Sequence, residues 1–243
     1  MRMLEPVDQW LVAVQDSVRE DFGWSEEQDF NTAQELLSSL EKIPQWSIEK
    51  RSETLESVRS QLLSDLRPIA VLGAAVEPED LLSLFTLKPH IVAADGSVGV
   101  LNAVEEDMWR DLALVISDSD GWPHLQDAID RIIPIALHAH GDNARELNKF
   151  IENCSEKGDL GIFLTHQTTR NIEGMYNPGG FTDGDRSICI LLAMGVEVDR
   201  LVLVGFDQYS LGRWSGVTDE NLKRRKLGWM AKILDRMGFG DGS

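Results

Sequence analysis

The stretch Leu112-Ala113-Leu114-Val115-Ile116-Ser117-Asp118-Ser119-Asp120-Gly121 sets an unbroken apolar run directly against two carboxylates and a glycine. A run that leaves neither strand face polar fits a strand covered by helices on both sides, not one with a face in water. The same form recurs in both directions. Ile69 to Leu72 precedes Gly73-Ala74-Ala75, Ile91 to Ala94 precedes Asp95-Gly96-Ser97, and Ile133 to Leu137 precedes His138-Ala139-His140-Gly141-Asp142-Asn143. Ile162 to Thr165 and Leu201 to Val204 complete the set, the last before Gly205-Phe206-Asp207. Helical patterns lie between the runs, and Asn143 to Cys154 is long enough to cross over between parallel neighbours. The alternation predicts an α/β fold: a Rossmann-like, mostly parallel sheet with helices on both faces. Ligands of such sheets bind beyond the carboxyl ends of the strands, so the polar residues closing each run are where chemistry is expected.

Upstream, Trp10, Leu11, Val14 and Val18 recur near helical spacing, as do Leu36, Leu37 and Leu40, and then Leu55, Val58 and Leu62, with Pro44 as a break. Ser25-Glu26-Glu27-Gln28 reads as a helix start. This divides the chain into a helical N-terminal subdomain, residues 1–66, and a Rossmann-like catalytic domain, residues 67–243. With 243 residues, 42% of them apolar, a sizeable core is within reach. The apolar runs are far shorter than the roughly 20 residues of a membrane-spanning helix. Asp16, Glu20 and Asp21 follow an opening without the apolar core of a signal peptide, so a cytoplasmic location without membrane attachment is expected. Cys154 and Cys189 lie in helical patterns with no partner at metal-ligand spacing and read as small core residues. A formal charge of −18 opposes nucleic-acid binding and means that a polyanionic ligand would need metal ions as intermediaries. The one basic cluster, Lys223-Arg224-Arg225-Lys226, reads as a solvated helix face, with Lys226 the member best placed to reach a phosphate.

Asp95 at one strand end and Asp118 and Asp120 at the next converge if the two strands pair, and magnesium takes one or two carboxylates of this kind, completing its shell with water and phosphates. The bland alternative is that both motifs are ordinary turns and helix caps. Asn177-Pro178-Gly179-Gly180-Phe181-Thr182-Asp183-Gly184-Asp185-Arg186 is the most specific segment. Thr182 and Asp185 make a capping-box start, the glycines allow close backbone approach, and Arg186 can fork onto a phosphate. His138 and His140 share a strand face, where hydrogen bonding is favoured over zinc for want of a third ligand. Neither a dinucleotide fingerprint nor a Walker A loop is present.

Taken together in order, Ala-Ala-Asp-Gly-Ser at 93–97, Ser-Asp-Ser-Asp-Gly at 117–121, His-Ala-His-Gly-Asp-Asn at 138–143, Gly-Gly-Phe-Thr-Asp-Gly-Asp-Arg at 179–186, Gly-Phe-Asp at 205–207 and Asp-Phe-Gly at 21–23 resemble the archaeal 6-hydroxymethyl-7,8-dihydropterin pyrophosphokinases. The resemblance implies magnesium-dependent transfer of diphosphate from ATP to the hydroxymethyl group of a reduced pterin, releasing AMP, in tetrahydromethanopterin or folate-type cofactor synthesis. By the more distant similarity to thiamine pyrophosphokinase, Asp95, Asp118 and Asp120 are expected to ligate the metal, and catalysis is expected from Asp118, Asp120, Asp185 and Arg186. Nucleotide contacts would come from Asp95, Gly96, Ser97, Gly179, Gly180 and Thr182, and acceptor contacts from His140, Asp142, Asn143, Asp183 and Asp207. Thiamine pyrophosphokinase is more distantly similar and is the nearest alternative; a nucleotide-binding sensor without catalysis is the non-enzyme alternative. A homodimer is compatible with the sequence.

Overall fold

The structure, a computed structural model, describes residues 4–104, 107–216 and 219–240; Met1, Arg2 and Met3 of the expected N-terminal subdomain, and residues 241–243, lie outside that range. Three helices come first, α1 (Trp10–Phe22), α2 (Glu26–Leu40) and α3 (Ile48–Leu63). Strands and helices then alternate: β1 (Ile69–Leu72), α4 (Pro78–Leu84), β2 (His90–Ala94), β3 (Leu112–Ser117), α5 (His124–Asp130), β4 (Ile135–Ala139), α6 (Ala144–Cys154), β5 (Ile162–His166), α7 (Asp183–Ala193), β6 (Leu201–Val204) and α8 (Glu220–Arg236). The six strands form one sheet in the order β5-β4-β3-β2-β1-β6, every pairing parallel. The α/β expectation is borne out. The fourth strand begins two residues later than its apolar run suggested, because Pro134 ahead of it offers no amide to the ladder and gives only its carbonyl, to Val115 N.

Strands β1 to β5 are buried along their whole length, which is what continuous apolar runs require. One face packs on Leu36 and Leu40 of α2, Leu81 of α4, Leu125 and Ile129 of α5, and Leu147 and Phe150 of α6. The other packs on Leu55, Val58 and Leu62 of α3, Ile188 and Leu191 of α7, and Met230 and Leu234 of α8. Helix α1 lies outside this second layer, its Leu11, Val14 and Val18 meeting Phe181, Cys189 and Ile233. Among the described residues no helix is long and apolar enough to cross a membrane.

The N-terminal helices thus cover both faces of the sheet, and Trp46 donates its indole N–H to Leu160 O at 2.8 Å. We propose that residues 1–66 are a subdomain in chain order and fold in one cooperative step with the rest. Urea unfolding followed by tryptophan fluorescence and by far-ultraviolet circular dichroism is expected to give coincident transitions; two separated midpoints would show an independent unit.

His166, at the end of β5, is buried, and burial pushes its imidazole down from the ordinary 6.5 to about 4. Between these values the unfolded chain binds the proton and the folded chain does not. The contribution of His166 is therefore fully present above pH 6.5 and is lost as the pH falls through about 4. Replacing it, His166→Gln, should make the loss of stability between about pH 7.5 and pH 5 smaller by roughly 2 kcal/mol. Denaturant midpoints at the two pH values, in both proteins, check this.

Candidate active site

Along the carboxyl edge of the sheet the strand ends and the start of α7 enclose an open cleft with about 1130 Å³ of free space, counted out to solvent. At its middle, β2 and β3 each end in a turn held in the left-handed region by a non-glycine residue, Asp95 with φ +47° and Ser119 with φ +74°. Such backbone costs about 1–3 kcal/mol per residue and persists only where its surroundings hold it. Here Ser117 Oγ donates to Asp95 Oδ1 at 2.5 Å and accepts from Ser119 N at 2.8 Å, locking the two turns together. Gly121 is required by the same arrangement, since a Cβ there would stand 2.3 Å from Asp95 Oδ2.

The result brings one oxygen from each of Asp95, Asp118 and Asp120 within 4.8 Å of one another. Burial, then repulsion from Asp118, raises both Asp95 and Asp120 above the usual carboxylate range, with Asp183 also repelling Asp95. Asp118 behaves oppositely. Burial acts against its charge, but the hydrogen bond and charge of His140, with Arg186 and Lys226, outweigh it and leave Asp118 at about 2. His140 Nε2 lies 3.1 Å from Asp118 Oδ2 and its Nδ1 2.6 Å from Asp142 Oδ1. Against the opposing effect of burial, these two carboxylates raise His140 to about 9, so it is an imidazolium at neutral pH. An all-oxygen donor set carrying surplus negative charge suits a hard divalent cation.

The start of α7 forms the expected capping box, but its parts do different work from that expected. The Asp185 carboxylate accepts from Phe181 N at 2.5 Å, Thr182 N at 3.0 Å and Thr182 Oγ1 at 2.6 Å, and the residue is fully buried. It is a cap off the cleft wall, and its oxygens are already occupied. Gly179 and Gly180 also lie off the wall: Gly180 N donates to Leu11 O at 3.1 Å, and a Cβ on Gly179 would meet Leu11 at 2.5 Å. Their positive φ values, +97° and +85°, admit α1, not a phosphate. Thr182, Asp183 and Gly184 line the cleft, as does Arg186. The Arg186 guanidinium is buried, donating to Phe181 O at 2.6 Å and Asp183 Oδ1 at 3.2 Å, while its Nε has no hydrogen-bond partner among the described residues. Burial, then the negative charge of Asp118, raises Asp183 to about 8 despite Arg186.

Three further expected residues support the site from outside its wall. Asn143 stands at the start of α6 yet caps nothing with its side chain, because Nδ2 is spent on Asp118 O at 2.9 Å and His138 O at 2.8 Å and Oδ1 accepts from His140 N. It clamps the β3 and β4 ends. Ser97 Oγ donates to Leu72 O at 3.0 Å and ties β2 to β1. Asp142 reaches solvent behind His140, which holds its carboxyl below the usual range. Gly96, His140 and Asp207 do line the cleft, Asp207 closing its own turn by accepting from Tyr209 N at 2.7 Å. His138 is buried against Thr165 Oγ1 at 3.0 Å, consistent with hydrogen bonding.

The sequence reading missed Lys223, Trp24, Phe206 and Gln167 on the wall. Lys223 was legible, since it shares a helical face with Lys226, Leu227 and Met230 at spacings of three, four and seven. Burial first, and then Lys226, lowers the Lys223 ammonium against the pull of Asp120. Arg224 and Arg225 turn away, to Glu220 and to Asp21.

Fold and cleft define a Rossmann-type α/β protein whose site sets clustered carboxylates against lysine ammonium groups and a buried guanidinium. No protein-family model matches the chain. It is 31% identical over 212 residues to the 6-hydroxymethyl-7,8-dihydropterin pyrophosphokinase of Pyrococcus furiosus, covering 86% of this chain and 81% of the relative. The proteins of the same description from Methanocaldococcus jannaschii and Methanothermobacter thermautotrophicus are 27% and 30% identical, over 78% and 60% of this chain and 75% and 61% of theirs. The chain belongs to the 6-hydroxymethyl-7,8-dihydropterin pyrophosphokinase family and is an enzyme, as the ordered motifs implied.

With two of its donors engaged inside the fold, Arg186 now carries a structural load. Removing it strands the Phe181 carbonyl inside the fold, so Arg186→Met should cost about 1–3 kcal/mol. Chemical denaturation measures this; a loss under about 1 kcal/mol would show that the guanidinium supports nothing.

Proposed function

We propose that this enzyme transfers diphosphate from ATP to the hydroxymethyl group of 6-hydroxymethyl-7,8-dihydropterin, releasing AMP, and that it works in the cytoplasm in the synthesis of a tetrahydromethanopterin or folate-type cofactor. The observation that carries the reading is the meeting of Asp95, Asp118 and Asp120 in the middle of a cleft that continues to both sides, in a chain of this family. Those three carboxylates would hold magnesium, which when bound supplies positive charge to the phosphate chain. In the reaction the acceptor oxygen bonds to the β-phosphorus, the bond from that phosphorus to the α–β bridging oxygen breaks, and AMP leaves with the electron pair.

The rest is positioning and charge. Lys223 and Lys226 of α8 face the acids across the cleft and would bind phosphate oxygens. The first-turn amides of α7, at Asp183 and Gly184, offer donors to the same chain. His140 keeps Asp118 ionised and fixed in orientation, so the charge that Asp118 would offer the metal does not vary near neutral pH. Asp120, the member of the cluster nearest solvent, would accept the hydroxyl proton.

Incubation with ATP, magnesium and the reduced hydroxymethylpterin is expected to yield AMP and the pterin diphosphate in equal amounts, and thiamine in its place is expected to give neither. MgATP binding without AMP release in the presence of either alcohol would replace this reading with a sensor. Asp118→Asn should lower turnover at least about a hundredfold, because the loss falls on transition-state charge. Near-normal turnover with unchanged magnesium dependence would move the metal elsewhere.

A further inference from the structure

The cleft has two dissimilar ends. Beyond β1 and β6 its wall carries Phe206, Leu211, Leu227 and Met230, with Asp207 and Ser210 bonded to one another. Phe206, Leu227 and Met230 belong to the apolar layer that also holds β6. Beyond β4 and β5 the wall is aromatic and polar: Trp24 and Phe181 stand with His140 and Gln167. Trp24 and Phe181 belong to a different apolar cluster, built on α1. The carboxylates lie between, past β2 and β3. In-line transfer places the attacking oxygen and the departing α-phosphate on opposite sides of the β-phosphorus. The acceptor ring and the nucleoside therefore extend to opposite ends of such a cleft.

We propose that Trp24 is the platform on which the acceptor's bicyclic ring stacks, so that the turn between α1 and α2 sets acceptor specificity while the nucleobase takes the Phe206 end. This rests on the pterin reading given above. A pterin presents amide, amine and ring-nitrogen groups along its edge, and these need polar partners once water is excluded. The Trp24 end offers His140 and Gln167, whereas past β6 the Asp207 carboxylate is already spent on Tyr209 N and the Ser210 hydroxyl. Trp24 itself is half-buried and held from behind: Phe22 stacks on it with centroids 4.5 Å apart and planes 18° apart, and Phe181 lies 6.0 Å away. Its backbone is set by the left-handed Gly23, which ends α1 and lets Trp24 N donate to Arg19 O at 2.9 Å. Gln167, which lines the same cleft, is fixed in turn by donating to Asp29 Oδ1 at 2.9 Å. Lys226 Nζ stands 5.5 Å from the Trp24 ring centroid, in the space a stacked ring needs. Its flexible stem lets the ammonium turn from the indole toward the acids, whose charge at Asp118 and Asp142 it already lowers in energy.

Calorimetric titration of full-length wild type, Trp24→Ala and Trp24→Phe with 6-hydroxymethyl-7,8-dihydropterin, and separately with MgATP, tests this. Loss of a ring–indole stack is expected to weaken pterin binding about tenfold to a hundredfold in Trp24→Ala. MgATP affinity should stay within about twofold, and Trp24→Phe should regain most of the pterin affinity, because a phenyl face still stacks. In kinetics, the pterin KM should rise more than kcat falls. Unchanged pterin binding in Trp24→Ala overturns the proposal, as does weakening confined to MgATP or equal weakening of both ligands. If wild type itself binds MgATP but no pterin, the functional reading fails and this inference falls with it; if wild type binds pterin and Trp24→Ala does too, only the platform is lost.

Discussion

One buried ion pair fastens the two parts of the chain around the cleft. Asp29 of α2 accepts from Arg19 Nη1 at 3.0 Å, from Gly141 N at 2.7 Å and from Gln167 Nε2 at 2.9 Å. Arg19 of α1 also donates to Gln167 O at 2.8 Å and pairs with Asp16. A buried carboxylate and guanidinium persist only when their hydrogen-bonding capacity is met, and here the partners that meet it are the loops after β4 and β5. The helical corner that carries Trp24 is thereby locked to the loops that carry His140 and Gln167. Loss of either charge would leave the other stranded inside the fold.

The cleft is built on unfavourable terms that the rest of the fold sustains. Four carboxylates, Asp95, Asp118, Asp120 and Asp183, repel one another, and two of the turns that present them sit in strained backbone. Opposing charge comes from His140, Arg186, Lys223 and Lys226. Only Asp118 has an imidazolium against it, and it alone of the four is driven below the ordinary range. A site so arranged is short of positive charge when empty, which is the condition under which a divalent cation and a phosphate chain bind together as a neutralising unit.

Much of the supporting chemistry comes from residues that never face the cleft. Asp185 caps α7, Asn143 clamps two strand ends, Ser97 ties β2 to β1, and the paired glycines make room for α1. Motif resemblance gathers such residues with those that touch ligand, because both kinds are needed for the site to exist. Burial and hydrogen-bond partners separate them.

By itself, the sequence determined the class of fold and the edge on which the site lies. Apolar runs without a polar face fit strands covered on both sides, and strands joined by helices run parallel, so Asp95, Asp118, His140 and Asp207 were expected along one edge. The capping box at Thr182 and Asp185 was equally legible, being local. Tertiary structure alone decided which polar atoms remain free for a ligand. A side chain's remaining donors and acceptors depend on partners remote in sequence: Leu11 against Gly179 and Gly180, Asp29 against Gly141 and Gln167, Trp214 against Gly96. Trp24 reaches the cleft through the same long-range packing, which no spacing or motif encodes.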